Sequence, residues 1–291
     1  MNFDSAGLSC PVHPGRPLDR VGADELACPA CGAVYPIRQG ICCFFNKARA
    51  PESAEDLDQA AAMEKLWPEM AQAASSIIAV TESDAIQCAL GSCTGRTVLD
   101  VGCGAGQPVE TFAGAQRIFA LDFSTQALRH YRAPCGTDVV RVHSTAVGLP
   151  FPGEMFDVVV AAQLLPHLRP GQRAAALGEI ARVIKPDGRV IVTALHYNFR
   201  FPKLGMAKTG TSEGVYFFRH TVEEFRREIE PFFEVSSLWG VWNYLPKTYR
   251  LFMALGRKTL YWDRIVRRTA LSLHYGKQLL AIGRLRKASG R

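Results

Sequence analysis

Two groups of residues in this 291-residue sequence have types and spacings that can do chemistry. The first is Asp100-Val101-Gly102-Cys103-Gly104-Ala105-Gly106, an apolar run that ends in alternating glycines. Glycine is needed where the backbone turns tightly and a ligand lies directly on the chain. A strand, such a turn and a helix opening near Pro108 make a loop for a nucleotide cofactor, and the glycines alone also suit a dinucleotide pyrophosphate. Twenty-two residues beyond Asp100, a second apolar run ends at Asp122, where a carboxylate can accept hydrogen bonds from both ribose hydroxyls. The second group is Cys10-Pro11-Val12-His13 and Cys28-Pro29-Ala30-Cys31, two ligand pairs with fourteen residues between them. Each pair fits one knuckle turn, and Cys10, His13, Cys28 and Cys31 together make a closed tetrahedral set for structural zinc.

These groups need elements to hold them. Apolar runs at Thr97–Val101, Arg117–Leu121, Val139–His143, Phe156–Ala161 and Gly188–Ala194 are each spaced for a crossover helix before the next. Strands apolar on both faces and alternating with helices predict a parallel sheet covered on both sides. Phe233–Leu238 and Gln278–Gly283 read as closing strands. The fold class expected is therefore α/β, a doubly wound Rossmann-like sheet of seven strands with the last antiparallel, and a small N-terminal zinc ribbon. The expected organisation is residues 1–50 as ribbon, 51–92 as helical cap and linker, 93–240 as core, 241–275 as helical insertion at the site's mouth, and 276–291 as final strand and basic tail. The cap contains helix-forming composition such as Ala60 to Leu66, interrupted near Pro68 and ended near Gly91.

With Asp100 before the glycines and Asp122 after the second strand, the segment Asp-Val-Gly-Cys-Gly-Ala-Gly resembles the first motif of class I methyltransferases that use S-adenosylmethionine (SAM). The resemblance continues through Leu149-Pro150-Phe151…Phe156-Asp157-Val158, Gln163-Leu164-Leu165-Pro166-His167-Leu168 and Ala181-Arg182-Val183-Ile184-Lys185-Pro186-Asp187-Gly188. It implies SAM held by Asp100, Gly102, Cys103, Gly104, Gly106, Asp122, Phe123, Thr145, Ala146 and Gln163. Thr145 stands where the family usually has an acid reading the adenine amino group, so that contact departs from the pattern. A carboxylate at Asp100 opposes a pyrophosphate but suits a cofactor carrying an ammonium and a sulfonium. Pro186-x-Gly188 is expected to make a tight turn. Leu8–Phe45, with Val34-Tyr35-Pro36-Ile37-Arg38-Gln39-Gly40-Ile41, resembles the zinc ribbon of Trm112, a methyltransferase partner, with His13 where a Cys is usual.

The acceptor is less defined. Segments after the fourth and fifth strands carry His167, His196 and His220, the candidates for a general base, together with many aromatics between Tyr197 and Phe218. Those rings are expected to enclose a substrate. In the insertion, Leu251, Leu255, Trp262, Ile265 and Leu273 can share one helical side and Lys247, Arg250, Arg257, Arg264 and Arg268 another. From Lys247 to Arg291 there are twelve Lys and Arg against Asp263 alone, although the whole chain is only +7. A small or lipid-like metabolite is the expected substrate, anionic if the basic side meets it, of a kind found in bacterial secondary metabolism. The alternatives are methylation of rRNA or tRNA, and a non-catalytic adaptor. Met1–Cys10 lacks the basic and apolar stretches of a secretory signal, and no apolar run approaches a bilayer span. Nine cysteines, an odd number, argue against a disulfide framework, so the expected location is the cytoplasm.

Overall fold

All seven apolar runs are strands. In the computed structural model, which describes residues 7–45, 58–66, 76–106, 109–132, 134–243, 251 and 254–286, they are β5 (Thr97–Val101), β6 (Arg117–Asp122), β7 (Asp138–His143), β8 (Phe156–Ala161), β9 (Ile184–Leu195), β12 (Phe233–Asn243) and β13 (Gly276–Leu285). They lie in the order β7-β6-β5-β8-β9-β13-β12, and β13 runs antiparallel to both its neighbours. The sheet holds eleven strands in all, because β1 (Asp19–Arg20), β2 (Glu25–Ala27), β3 (Val34–Arg38) and β4 (Ile41–Cys43) of the ribbon extend it past β7. The join is parallel, with Ile41, Cys42 and Cys43 opposite Arg141, Val142 and His143. A final ribbon strand at Cys42 and Cys43 is expected from the sequence, but its pairing with β7, about a hundred residues on, was not legible there.

Helices cover both faces. Residues 58–66 form α1, and α2 spans Ile77–Leu90, capped by the Ser76 hydroxyl at Ala79 N–H and closed by Gly91 at φ 66°. They are followed by α3 (Thr125–His130), α4 (Pro170–Val183), α5 (Arg200–Lys203), α6 (Val222–Ile229), α7 (Thr259–Val266) and α8 (Ser272–Tyr275). One core lies on the face of α4 and α6, where Leu99, Phe119, Val159, Leu177 and Phe225 are buried. The ribbon's Leu8, Leu18, Leu26, Tyr35 and Phe44 belong to that same core. Ser9 N–H donates to Pro150 C=O at 2.8 Å, and Phe119, Phe151 and Phe156 pack edge-on beneath. The opposite core gathers Ala85, Ile86, Val98, Ile118, Val160 and Trp242 under α2 and α3.

Three expectations change in detail. Pro186-Asp187-Gly188 is a bulge within β9 and not a turn before it, since the pairing steps from Phe156↔Ile184 to Val158↔Arg189. The stretch 196–220 contains α5 and a hairpin of β10 (Thr209–Ser212) and β11 (Val215–Phe218) where a long cover loop was expected. The insertion buries neither expected side: Arg264 and Arg268 are exposed, as the basic side was expected to be, but so is most of the apolar side. In and around α7, Leu251, Leu255, Trp262 and Ile265 are exposed, while Thr259, Asp263 and Arg267 are buried. The cause is Asp84 of α2, which accepts from Arg267 Nη2 and Arg264 Nη2 at 2.5 Å each; Asp263 pairs with Arg267 Nε at 3.0 Å. The Asp263 carboxylate also accepts from Asn243 N–H and Nδ2, both at 2.9 Å. The interruption at Pro68, the helix start at Pro108, the basic residues Lys247 and Arg250, and the tail beyond residue 286 lie outside the described residues.

Candidate functional site

Parallel strands present their carboxyl ends on one edge, where ligands of such sheets bind. Here that edge holds a cleft lined by Gly102, Leu121, Asp122, Phe123, Ser144, Thr145, Ala146, Val147, Leu164, His167, Leu168 and Gln172, with Gln59 and Ala60 from α1 and Phe45 from the ribbon. The glycine loop after β5 is tied to β6: Gly102 and Cys103 N–H donate to Leu121 C=O at 2.8 and 3.0 Å. Gly102, Gly104 and Gly106 all have positive φ (67°, 55° and 77°), and a Cβ on Gly102 would approach Leu164 to 3.0 Å. Asp122 fixes the loop further, accepting from Gly104 N–H at 2.9 Å and Ser124 N–H at 2.8 Å. Each carboxylate oxygen keeps a second lone pair for a ligand.

Asp100, near the end of β5, is 1% exposed and among the described residues has one hydrogen-bond partner, the Tyr131 hydroxyl at 3.3 Å on Oδ2. Its Oδ1 is buried without a hydrogen-bond partner among the described residues. Burial pushes this carboxyl up to about 7, against the Tyr131 bond, and the neighbouring Asp122 adds to the rise. Asp122 itself is pushed up to about 6 by burial, opposed by its backbone donors and reinforced by Glu64 of α1. Two buried acids with raised pKa values beside a glycine loop suit a cationic or hydroxyl-bearing ligand. An ammonium at the first and a ribose at the second fit SAM, and a pyrophosphate does not.

The remaining expected site residues are placed as follows. Cys103 is buried and its thiol raised by burial, which suits packing. Phe123, Thr145 and Ala146 line the cleft. Gln163 does not; at φ 53° it turns its amide to buried Glu82 of α2 at 2.7 Å and to Thr193. His167 lines the cleft, and its Nδ1 lies 2.9 Å from Tyr216 C=O. A carbonyl can only accept, so Nδ1 carries the proton and Nε2 keeps its lone pair; burial holds the ring below its ordinary value. His196 and His220 are not brought to the cleft. His196 is 3% exposed, bonded to Gly276 C=O, and pushed down to about 4 by burial; His220 is fully buried on Glu228 at 3.1 Å. The rings expected to enclose a substrate stack with cations instead, Arg173 over Phe218 and Arg219 over Phe217, both at 4.5 Å.

Two contributors went unforeseen. Phe45 reaches the cleft through the β4–β7 pairing. The helix α1 crosses its rim: Gln59 Nε2 donates to His167 C=O at 2.8 Å, its Oε1 accepts from Tyr216 N–H, and Glu64 accepts from Thr125 and Gln126 at the start of α3.

At the far end of the ribbon, ligand atoms of Cys10, His13, Cys28 and Cys31 lie within 4.8 Å of one another. Cys10 Sγ is 3.8 Å from His13 Nδ1 and 3.9 Å from Cys31 Sγ. A tetrahedron of 2.3 Å zinc–sulfur bonds has edges of about 3.8 Å, so the four residues fit the ion, with no open position for chemistry.

A doubly wound sheet with this glycine loop and paired acids defines a SAM-binding methyltransferase, and comparison with known proteins agrees. Residues 98–188 match the family described as a methyltransferase domain, and residues 8–40 match Trm112p-like proteins. The chain is 31% identical over 173 residues to a ubiquinone biosynthesis O-methyltransferase of Thiobacillus denitrificans, covering 54% of this chain and 73% of that protein. The chain spans 36–50% of the length of seven other curated relatives that it matches. Among solved structures, the fold is similar to Burkholderia thailandensis 1,6-didemethyltoxoflavin-N1-methyltransferase (15% identity, 92% of this chain and 98% of that one, TM-score 0.55). It is also similar to a chain from the complex of the Haloferax volcanii Trm112 methyltransferase activator with a putative methyltransferase (17% identity, 82% and 100%, TM-score 0.53). The chain belongs to the class I SAM-dependent methyltransferases and carries a Trm112-like zinc ribbon in the same polypeptide.

Proposed function

We propose that the protein transfers a methyl group from SAM to a hydroxyl of a small, largely apolar ring compound, such as a quinol-like metabolite. The observation that carries this is His167. His167 lines the cleft together with Leu164, Leu168 and Val147, and its Nε2 is unprotonated. A neutral base in a cleft lined mainly by apolar side chains suits an apolar acceptor that must lose a proton. The relationship to a ubiquinone biosynthesis O-methyltransferase supports the same class of acceptor.

When bound, SAM supplies an activated methyl on a sulfonium. Asp122 would hold the ribose hydroxyls and Asp100 the cationic end, with the glycine loop leaving room for the cofactor beside the backbone. Leu164 and Leu168 would exclude water, and His167 Nε2 would take the proton that the acceptor hydroxyl gives up. The Nδ1–H···O=C bond to Tyr216 keeps the ring in the receiving tautomer. Methylation of RNA is less favoured, because Arg264 and Arg267 of the basic C-terminal stretch are taken up by Asp84 and Asp263. No helix among the described residues is long and apolar enough to cross a membrane.

The test is transfer of labelled methyl from SAM to a panel of phenols and hydroquinones, with ribosomal and transfer RNA in parallel. Label is expected in the ring compounds. His167→Ala should lower kcat about 10²-fold or more while leaving cofactor affinity within about twofold. Label in RNA, or an unchanged kcat in that variant, contradicts the reading.

A further inference from the structure

The ribbon's final residue does something the zinc site does not explain. Strand β4 pairs with β7 so that the chain leaving it runs beside the end of β7, and Phe44 and Phe45 N–H both donate to His143 C=O, at 2.8 and 3.1 Å. This double anchor sets the Phe45 ring against His143, with centroids 5.2 Å apart, and brings Phe45 to the wall of the cleft. Strand order gives the position along the ligand. The glycine loop ends β5, the ribose-binding acid Asp122 ends β6, Ser144–Ala146 end β7, and Phe45 ends β4, one strand farther out. Counting outward from the ribose, the next group of the cofactor is the purine. This is also the end where Thr145 replaces the acid expected for the adenine amino group, so the cleft lining beyond Asp122 offers an aromatic ring and hydroxyls but no carboxylate, Glu64 nearby being bonded to Thr125 and Gln126.

We propose that the purine subsite is composite: the methyltransferase core supplies Phe123, Thr145 and Ala146, and the zinc ribbon supplies its outer wall through Phe45. The inference rests on the SAM reading above. An aromatic ring contributes contact to any purine face or edge without needing a hydrogen bond, which compensates for the missing acid. It also couples the two sites. The turns that carry Cys10, His13, Cys28 and Cys31 share a core with Tyr35 and Phe44, and Tyr35 lies 4.7 Å from Phe44 by ring centroids and 3.3 Å by its hydroxyl from Cys10 Sγ. Zinc therefore stabilises the segment that presents Phe45, and by reciprocity a bound purine stabilises the zinc-loaded ribbon.

The experiment is calorimetric titration of the full zinc-loaded chain with S-adenosylhomocysteine and with 5′-methylthioadenosine, the second lacking the amino-acid end. Phe45→Ala is expected to weaken both about tenfold with zinc content and Tm unchanged, and Phe45→Tyr to stay within about twofold of the parent. A second readout is the rate of zinc release to a chelating dye. Saturating S-adenosylhomocysteine should slow release several-fold in the parent and leave Phe45→Ala unaffected. Affinities within twofold for Phe45→Ala, or the same protection of zinc in that variant, overturn the proposal while leaving the SAM reading standing. No binding by the parent chain would overturn both.

Discussion

The ribbon (residues 8–45) and the described part of the segment that follows β12 (residues 251 and 254–275) are both additions to one seven-stranded sheet, and they are attached by different physics. The ribbon is stitched by backbone: a parallel strand, the Ser9–Pro150 bond and the two bonds to His143 C=O, over a shared apolar core. The segment after β12 is fastened by charge, through Arg267 between Asp84 and Asp263, and by close backbone approach. A Cβ on Gly240 would meet Ser272 C=O at 1.8 Å, so α8 lies directly on β12 there. An attachment by sheet and metal places a side chain in the cofactor cleft. An attachment by ion pairs leaves Leu251, Trp262 and Ile265 facing solvent.

Breaking each attachment should separate the two. Cys28→Ser has the largest expected effect. A ribbon of this size depends on its metal, so the variant should lose zinc and the ribbon's protection from hydrogen exchange at Leu26–Phe44, and lower Tm by about 10 °C or more. Arg267→Ala comes next. It leaves Asp263 buried without its cation and should cost about 3 kcal/mol in denaturant unfolding, with protection lost around α7 but not in the ribbon.

A pH series probes the core between them. Asp100 and Asp122 are raised in the ligand-free fold, to about 7 and about 6, so protonation competes with a cationic ligand. Cofactor affinity should fall as pH drops from 8 towards 5.5, and Asp100→Asn should flatten the upper part of that slope. The smallest expected effects are Arg264→Ala, a half-exposed partner of Asp84, and Ile265→Ser, 69% exposed; each should stay within about 0.5 kcal/mol. A large loss from either would mean that α7 is held by its outer face, contrary to the comparison.

What the sequence showed follows the same divide. Local spacing was legible: Cys10, His13, Cys28 and Cys31 converge, the seven strands stand where apolar runs placed them, and the glycine loop folds against Asp122. What depended on partners far along the chain was not. The buried side of α7 was misread because helical amphipathicity assumes that the apolar side is buried, whereas Asp84, 183 residues before Arg267, draws that arginine inward beside Asp263 and Val266. Gln163 looked like part of the cleft until Glu82 gave its amide a buried partner. His196 and His220 share a motif-rich neighbourhood with His167, but backbone carbonyls and Glu228 use them as fastenings. Phe45 carried no signal at all, because its role arises from a pairing between strands a hundred residues apart.

The account stands or falls on the cofactor loop, and titration of the zinc-loaded chain with S-adenosylhomocysteine measures that directly. Saturable binding at one site per chain is predicted, weakened about tenfold or more in Asp122→Asn, whose amide has one oxygen in place of two to serve Gly104, Ser124 and a ribose. No detectable heat from the parent at high ligand concentration, or equal affinity in Asp122→Asn, would contradict it.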